Sequence, residues 1–431
     1  MKRYSEYKDS GVKWIGEIPG HWDCRKLKTL LLSPLQYGAN ASGVPYSEHL
    51  PRYIRITDIT LEGKLKLSDK LSLSYEDAAK YILKDKDILF ARSGASVGKT
   101  FLYKKEYGLS AFAGYLIKAE LGKELIPELL FYFTQSDIYE SWKNGIFIQS
   151  TIQNIGADKY SQLQIAIPPL PEQEAIVTYL DTKVAKIDEY ISIAEKKIAA
   201  LEELKQTIIA EAVTRGIHKD VPMKDSGVKW IGMIPEHWKI KRLRAYLSMY
   251  SEKNHPDKQL LSVTRESGVI VRNTDSKEEN HNYIPDDLSG YKLVRIGDFA
   301  INKMKSWQGS YGVSKFEGIV SPAYYVCNLN FPYKDFFSNA IRCKAYIPFF
   351  TQYSKGIRVD QWDLSPIALK NIPFFEPPLL EQEAIVTYLD SKVASINQLC
   401  QAERSQIEKL KEYKQRLISD VVTGKVKVTN D

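Results

Sequence analysis

The segment Lys8-Asp9-Ser10-Gly11-Val12-Lys13-Trp14-Ile15-Gly16 returns letter for letter as Lys224 to Gly232. The match continues through Ile18-Pro19 and His21-Trp22 to Ile234-Pro235 and His237-Trp238, so Trp14 reappears as Trp230, 216 positions on. A second block, Pro168-Pro169-Leu170 with Glu172-Gln173-Glu174-Ala175-Ile176-Val177-Thr178-Tyr179-Leu180-Asp181, returns between Pro377 and Asp390, 209 positions on. Identities of this length mark a tandem duplication, and a chain written twice is expected to fold twice. Between the repeated blocks lie two inserts, roughly 23–167 and 239–376, that have diverged heavily. Each half therefore reads as a fixed lead-in, a variable domain and a fixed tail.

The fixed tails read as long helices. Val177, Leu180, Val184, Ile187, Ile191, Ala194, Ile198 and Leu201 step by three and four residues, the narrow seam of a coiled coil. Val386, Leu389, Val393, Ile396, Cys400, Ile407, Leu410, Leu417 and Val421 repeat it, interrupted by Glu403 and Lys414. Lys205 interrupts the first copy at the position equivalent to Lys414, which points to a shared register device. Each helix opens after a proline pair, with Glu172 and Glu381 suited to the N-terminal dipole, and stops before Gly216 or Gly424. The spans 172–214 and 381–422 correspond to roughly 60 Å of helix each and are expected to pair within the chain.

The inserts read as mixed α/β. Strands are expected at 52–59, 87–92 and 113–118, with a helix over 128–142. The second insert parallels this with strands at 297–303 and 321–326 and a helix over about 335–353. The expected organisation is 1–167 for the first lead-in and insert, 168–216 for the first helix, 217–376 for the second lead-in and insert, and 377–431 for the second helix and tail.

With 431 residues, 44% hydrophobic and 26% charged, the chain can bury substantial cores. Met1 to Glu6 carries no apolar stretch of the secretory kind, and no apolar run approaches the roughly 18 residues of a membrane helix. No membrane association is expected, and the expected location is the cytoplasm. Cys24, Cys327, Cys343 and Cys400 are far apart and form no CxxC pair, arguing against a disulfide framework or zinc site. The 60 Lys+Arg against 53 Asp+Glu lean only weakly toward an anionic partner.

Catalytic motifs are missing. Gly94-Ala95-Ser96-Val97-Gly98-Lys99-Thr100 has one residue too few between its glycines for a triphosphate-cradling loop. The Pro168-Pro169 and Pro377-Pro378 pairs lack the flanks of an amino-methyltransferase loop. No HExxH or ligand-spaced histidine cluster is present, and His21 and His237, between proline and tryptophan, suit a structural role. No nucleophile–base constellation can be assembled; the expected catalytic residues and metal ligands are none.

What remains is binding chemistry. Arg92, Ser93 and Lys99 flank the turn after one strand; Lys303, Lys305, Ser306, Trp307, Gln308 and Ser310 follow a strand 211 positions later, and Gly98 and Gly309 share that offset. Arg and Lys bond guanine O6/N7, Gln bonds adenine N6/N7, and Ser serves base or phosphate. The DNA-binding candidates are Arg92, Ser93, Lys99, Lys303, Lys305, Trp307, Gln308 and Ser310. The basic clusters Arg25-Lys26-Lys28 and Lys241-Arg242-Arg244 suit phosphate contacts or a solvated face equally.

The two repeated blocks, with Ser93 to Lys99 and Lys303 to Gly309, resemble the specificity subunits of type I restriction–modification enzymes over nearly the whole chain. The resemblance implies an α/β (α+β) fold with pseudo-twofold duplication: two target recognition domains separated by two long antiparallel conserved helices. It implies a non-catalytic subunit that reads a bipartite, asymmetric site in double-stranded DNA, one half-site per recognition domain. It further implies two modification (methyltransferase) subunits bringing S-adenosylmethionine to methylate adenines, and restriction (motor-nuclease) subunits bringing ATP and magnesium, with no cofactor on this chain. Glu172, Gln173, Glu381 and Gln382 are the candidate contacts to those subunits. A rival reading from another class is a duplicated coiled-coil scaffold that binds two protein partners and no DNA.

Overall fold

The computed structural model describes residues 2–60, 63–147, 153–218, 220–273, 284–356 and 362–428. The chain forms two compact units, Met1–Ala194 with Ser405–Asp431, and Glu195–Arg404. The division falls inside the two long helices, because each half-helix packs with the insert of its own unit.

The first unit begins with an antiparallel hairpin of Tyr7–Asp9 against Glu17–Pro19. Its turn is closed by the Gly11 amide donating to Asp9 Oδ1 at 2.9 Å. The insert is shut at its base by Asp23–Lys26 pairing antiparallel with Gln164–Ile167. Inside it, Gln36–Tyr37, Leu116–Ala119, Ile88–Ala91 and Thr100–Leu102 form an antiparallel sheet in that order. A second sheet runs Ser110–Phe112, Arg52–Ile54, Leu71–Ser72 and Val44–Pro45, its first pair parallel. All of Ile88–Ala91 is buried, as expected of a strand covered on both faces. The helix expected over 128–142 is two helices, Pro127–Phe133 and Asp137–Phe147. Ser136 divides them: its hydroxyl accepts the Tyr139 amide at 3.3 Å and starts the second.

The second unit repeats the plan. Met223–Asp225 pairs with Met233–Pro235, and Lys239–Arg242 with Pro373–Glu376 closes the insert. Leu247–Tyr250, Tyr324–Leu329, Phe299–Asn302 and Tyr311–Val313 form a sheet of the same order and directions. The helix expected near 335–353 is likewise divided, into Lys334–Arg342 and Ile347–Tyr353, because Cys343 is extended at φ −67° and ψ 152°. Pro348 then suits the first turn of the second piece.

The long helices are Leu170–Arg215 and Leu379–Val422. In the first unit, Ile176, Leu180 and Ile187 of one join Leu417, Ile418, Val421 and Val422 of the other in a core with Trp22, Leu130 and Ile165. In the second unit, Ala212 and Val213 join Ile385, Val386 and Leu389 around Trp238, Phe336 and Phe374. The start of one helix meets the end of the other in both cores, so the pairing within each unit is antiparallel. Each fully buried Leu, Ile or Phe contributes about 1.5–3 kcal/mol. The polar interruptions of the seam face each other: Lys414 Nζ donates to Asp188 Oδ1 at 2.6 Å, and Lys205 Nζ to Asn397 Oδ1 at 3.2 Å. Asp188 and Asn397 are themselves 209 positions apart, as are the two lysines. A one-turn slip would break both pairs, though Lys205 would keep Glu202 of its own helix, so the pairs favour one register.

Candidate nucleic-acid interface

The duplicated His-Trp pairs hold the helix starts. Glu172 Oε2 accepts Trp22 Nε1 at 3.1 Å and lies 2.9 Å from His21 Nε2. Glu381 repeats this, with Trp238 Nε1 at 3.1 Å and His237 Nε2 at 2.7 Å. Tyr4 adds a hydroxyl donor to Glu172; burial first, then that carboxylate, push the Tyr4 hydroxyl well above the ordinary phenol range. Gln173 is buried and bridges three backbone groups: its Oε1 accepts Ile126 N at 2.8 Å, and its Nε2 donates to Glu124 O at 2.8 Å and Pro168 O at 2.9 Å. Gln382, also buried, donates to Pro377 O at 2.9 Å. These are the groups that Glu172, Gln173, Glu381 and Gln382, the candidate partner contacts, meet within the chain. Glu172 and Glu381 hold each lead-in to its own helix and Gln173 holds the first insert, whereas Gln382 Oε1 is buried without a hydrogen-bond partner among the described residues. Replacing Glu381 by Ala leaves the buried Trp238 donor without its acceptor and is expected to cost about 1–3 kcal/mol in denaturant unfolding. An Ala variant as stable as the parent would show that the carboxylate anchors nothing.

Both candidate DNA-contacting segments are tips of one β-hairpin, built twice. Ile88–Ala91 and Thr100–Leu102 flank the first; Phe299–Asn302 and Tyr311–Val313, each shifted by 211 positions, flank the second. The tips hold short 3-10 turns, Gly94–Ser96 and Ser306–Gln308, and no helix follows as a phosphate-cradling loop requires. Gly98 and Gly309 adopt φ +84° and +99°, the left-handed turn that brings each strand back.

The side chains differ between tips. In the first, Arg92, Ser93 and Lys99 are all half-buried, and the Arg92 guanidinium lies over the Tyr37 ring at 5.0 Å. In the second, Lys305 is exposed and Gln308 half-buried. Lys303 Nζ pairs with Asp363 Oδ2 at 2.9 Å, and that hydrogen bond raises the ammonium above its usual range. Trp307 tilts on Trp362 with ring centres 5.2 Å apart, its Nε1 donating back to Met304 O at 3.2 Å. Ser310 is enclosed by its turn. It is 3% exposed, its amide bonding Lys305 O at 3.2 Å and its carbonyl accepting Asn302 N at 3.0 Å.

The basic clusters are partly committed within the chain. Arg25 bonds Glu124, Lys241 pairs with Glu376 at 2.9 Å and Arg242 Nη1 donates to Asn371 O at 2.5 Å, whereas Lys26, Lys28 and Arg244 are exposed. Among the described residues, no helix is long and apolar enough to cross a membrane.

Two hairpins of one register, tipped with different polar groups and anchored by duplicated helix starts, agree with comparison to known proteins. Residues 53–203 match the family of the type I restriction modification DNA specificity domain. A chain of Methanocaldococcus jannaschii assigned as the MjaX type I restriction enzyme specificity subunit is 26% identical, covering 98% of both chains. The chain is similar to the type I restriction specificity subunits over nearly its whole length. The MjaVIII specificity subunit of the same organism is 23% identical over 81% of each chain. By fold, this chain matches a chain from a solved structure of type I restriction–modification assembly with TM-score 0.68, 16% identity and coverage of 95% and 99%. The HsdS subunit from Thermoanaerobacter tengcongensis matches with TM-score 0.50, 17% identity and coverage of 95% and 98%.

Proposed function

We propose that this chain is a specificity subunit that reads a bipartite, asymmetric site in double-stranded DNA, each recognition insert reading one half-site, and catalyses nothing itself. The observation that carries this reading is the hairpin built twice in one register with different tips: Arg92, Ser93 and Lys99 in one, Lys305, Trp307 and Gln308 in the other. A constant scaffold with variable polar ends is the chemistry of sequence discrimination, since base edges differ in donors and acceptors while the duplex frame does not. Adenine methylation falls to two modification subunits carrying S-adenosylmethionine, and cleavage to restriction subunits using ATP and magnesium. Assembly and action are placed in the cytoplasm. A scaffold without DNA affinity would have no use for two diverged tips, and the likeness to specificity subunits disfavours it.

Binding of random duplex by the full chain, assembled with modification subunits, provides the test. If six or more phosphates are neutralised, affinity is expected to fall by about a thousandfold or more between 50 and 200 mM salt. Binding indifferent to salt, or none, would contradict the reading.

A further inference from the structure

We infer that Asn154, acting with Arg92, reads one base pair or two adjacent base pairs of the first half-site. This rests on the DNA-reading function proposed above and assigns it a residue outside the hairpin tip. The segment around Asn154 crosses the base of the hairpin: Ser93 and Asn154 form an antiparallel bridge, and Ile155 N donates to Arg92 O at 2.8 Å. The Arg92 and Asn154 side chains thus leave neighbouring backbones. Both residues are half-buried, and Arg92 Nε and Asn154 Oδ1 are buried atoms without a hydrogen-bond partner among the described residues. A donor and an acceptor are left open on two paired backbone segments, an arrangement that folded chains rarely tolerate unless something else completes it. The Tyr37 ring under the guanidinium is itself fixed, its hydroxyl accepting Ala157 N at 3.0 Å.

The second unit has the same crossing with different chemistry. Lys303 stands 211 positions after Arg92 and Asp363 209 after Asn154, and Leu364 N donates to Lys303 O at 3.2 Å as Ile155 N does to Arg92 O. There the two side chains close on each other as an ion pair at 2.9 Å. One backbone position therefore carries a closed pair in one unit and an open donor and acceptor in the other. The ligand that completes the open pair is a base edge in the major groove: the arginine fork fits guanine O6/N7 and the asparagine amide fits adenine N6/N7. Side-chain rotation on binding, common at interfaces, brings both groups to the edge.

Sequence selection from a randomised duplex pool, using the full chain assembled with its modification subunits, tests this. Asn154→Asp gives Arg92 the carboxylate that Lys303 has and is expected to lower discrimination about ten- to hundredfold at one position, or two adjacent positions, of the first half-site. The other positions and the whole second half-site are expected to persist, which also reports that the chain is folded. Arg92→Lys, which keeps the charge and removes the fork, is expected to relax the same position, and it carries the test if Asn154→Asp fails to assemble. Unchanged discrimination, a uniform loss over all sequences, or an altered second half-site overturns the assignment while leaving DNA reading intact. A parent complex that selects no sequence overturns both.

Discussion

Exchanging residues 23–167 for the equivalent insert of a related specificity subunit is expected to replace the first half-site and leave the second untouched. The junctions are favourable because Asp23–Lys26 and Gln164–Ile167 pair with each other, so a graft carries its own closure. Ile54, Leu89, Phe101 and Phe112 form a core made only of insert residues, which travels with the graft. The graft must still meet Ile176 and Leu180 of the first long helix, where size and shape count. Methylation-site mapping in cells carrying the chimera with its partner subunits measures the outcome. A chimera in which both half-sites change would show that the inserts do not read independently.

Gly424→Ala is expected to destabilise the first unit by about 2–4 kcal/mol, combining left-handed strain with overpacking. Gly424 ends the second long helix at φ +74°, and a Cβ there would lie 2.3 and 2.4 Å from Pro19 Cδ and Cγ and 3.2 Å from the Trp22 ring. The proline ring is held in the lead-in hairpin and cannot move aside. Gly216 ends the first helix at φ +77°, but its Cβ would meet mainly Glu381 Oε1, at 2.9 Å, the end of a side chain. Gly216→Ala is therefore the milder change, about 1–2 kcal/mol from the backbone term alone. Denaturant unfolding of both variants checks the order; equal losses would mean that the Pro19 contact carries no weight.

The duplication, the long helices and the hairpin register were legible because each leaves a local or exactly repeated signal in the sequence. The expected spans 172–214 and 381–422 fall within two residues of the observed helices at their N-terminal ends and within one at their C-terminal ends. Side-chain direction was not legible. An acid-glutamine pair at a helix start satisfies the dipole whether it faces solvent or its own lead-in, and only the fold shows Glu172 meeting Trp22. Ser310 looks like an open loop hydroxyl in sequence, yet the turn closes over it. Asn154 lies 62 positions from Arg92, and the single long-range bridge of Asn154 to Ser93 has no periodicity to betray it. Divergence hid it further, since its counterpart is Asp363.

The most direct measurement is the methylated sequence itself, mapped genome-wide in cells expressing this chain with its modification subunits. The expected result is one asymmetric motif of two defined half-sites around an unread spacer, with adenine modified in both strands and all modification lost when the chain is omitted. A continuous motif without a spacer, or the same methylation in the absence of this chain, would contradict the account.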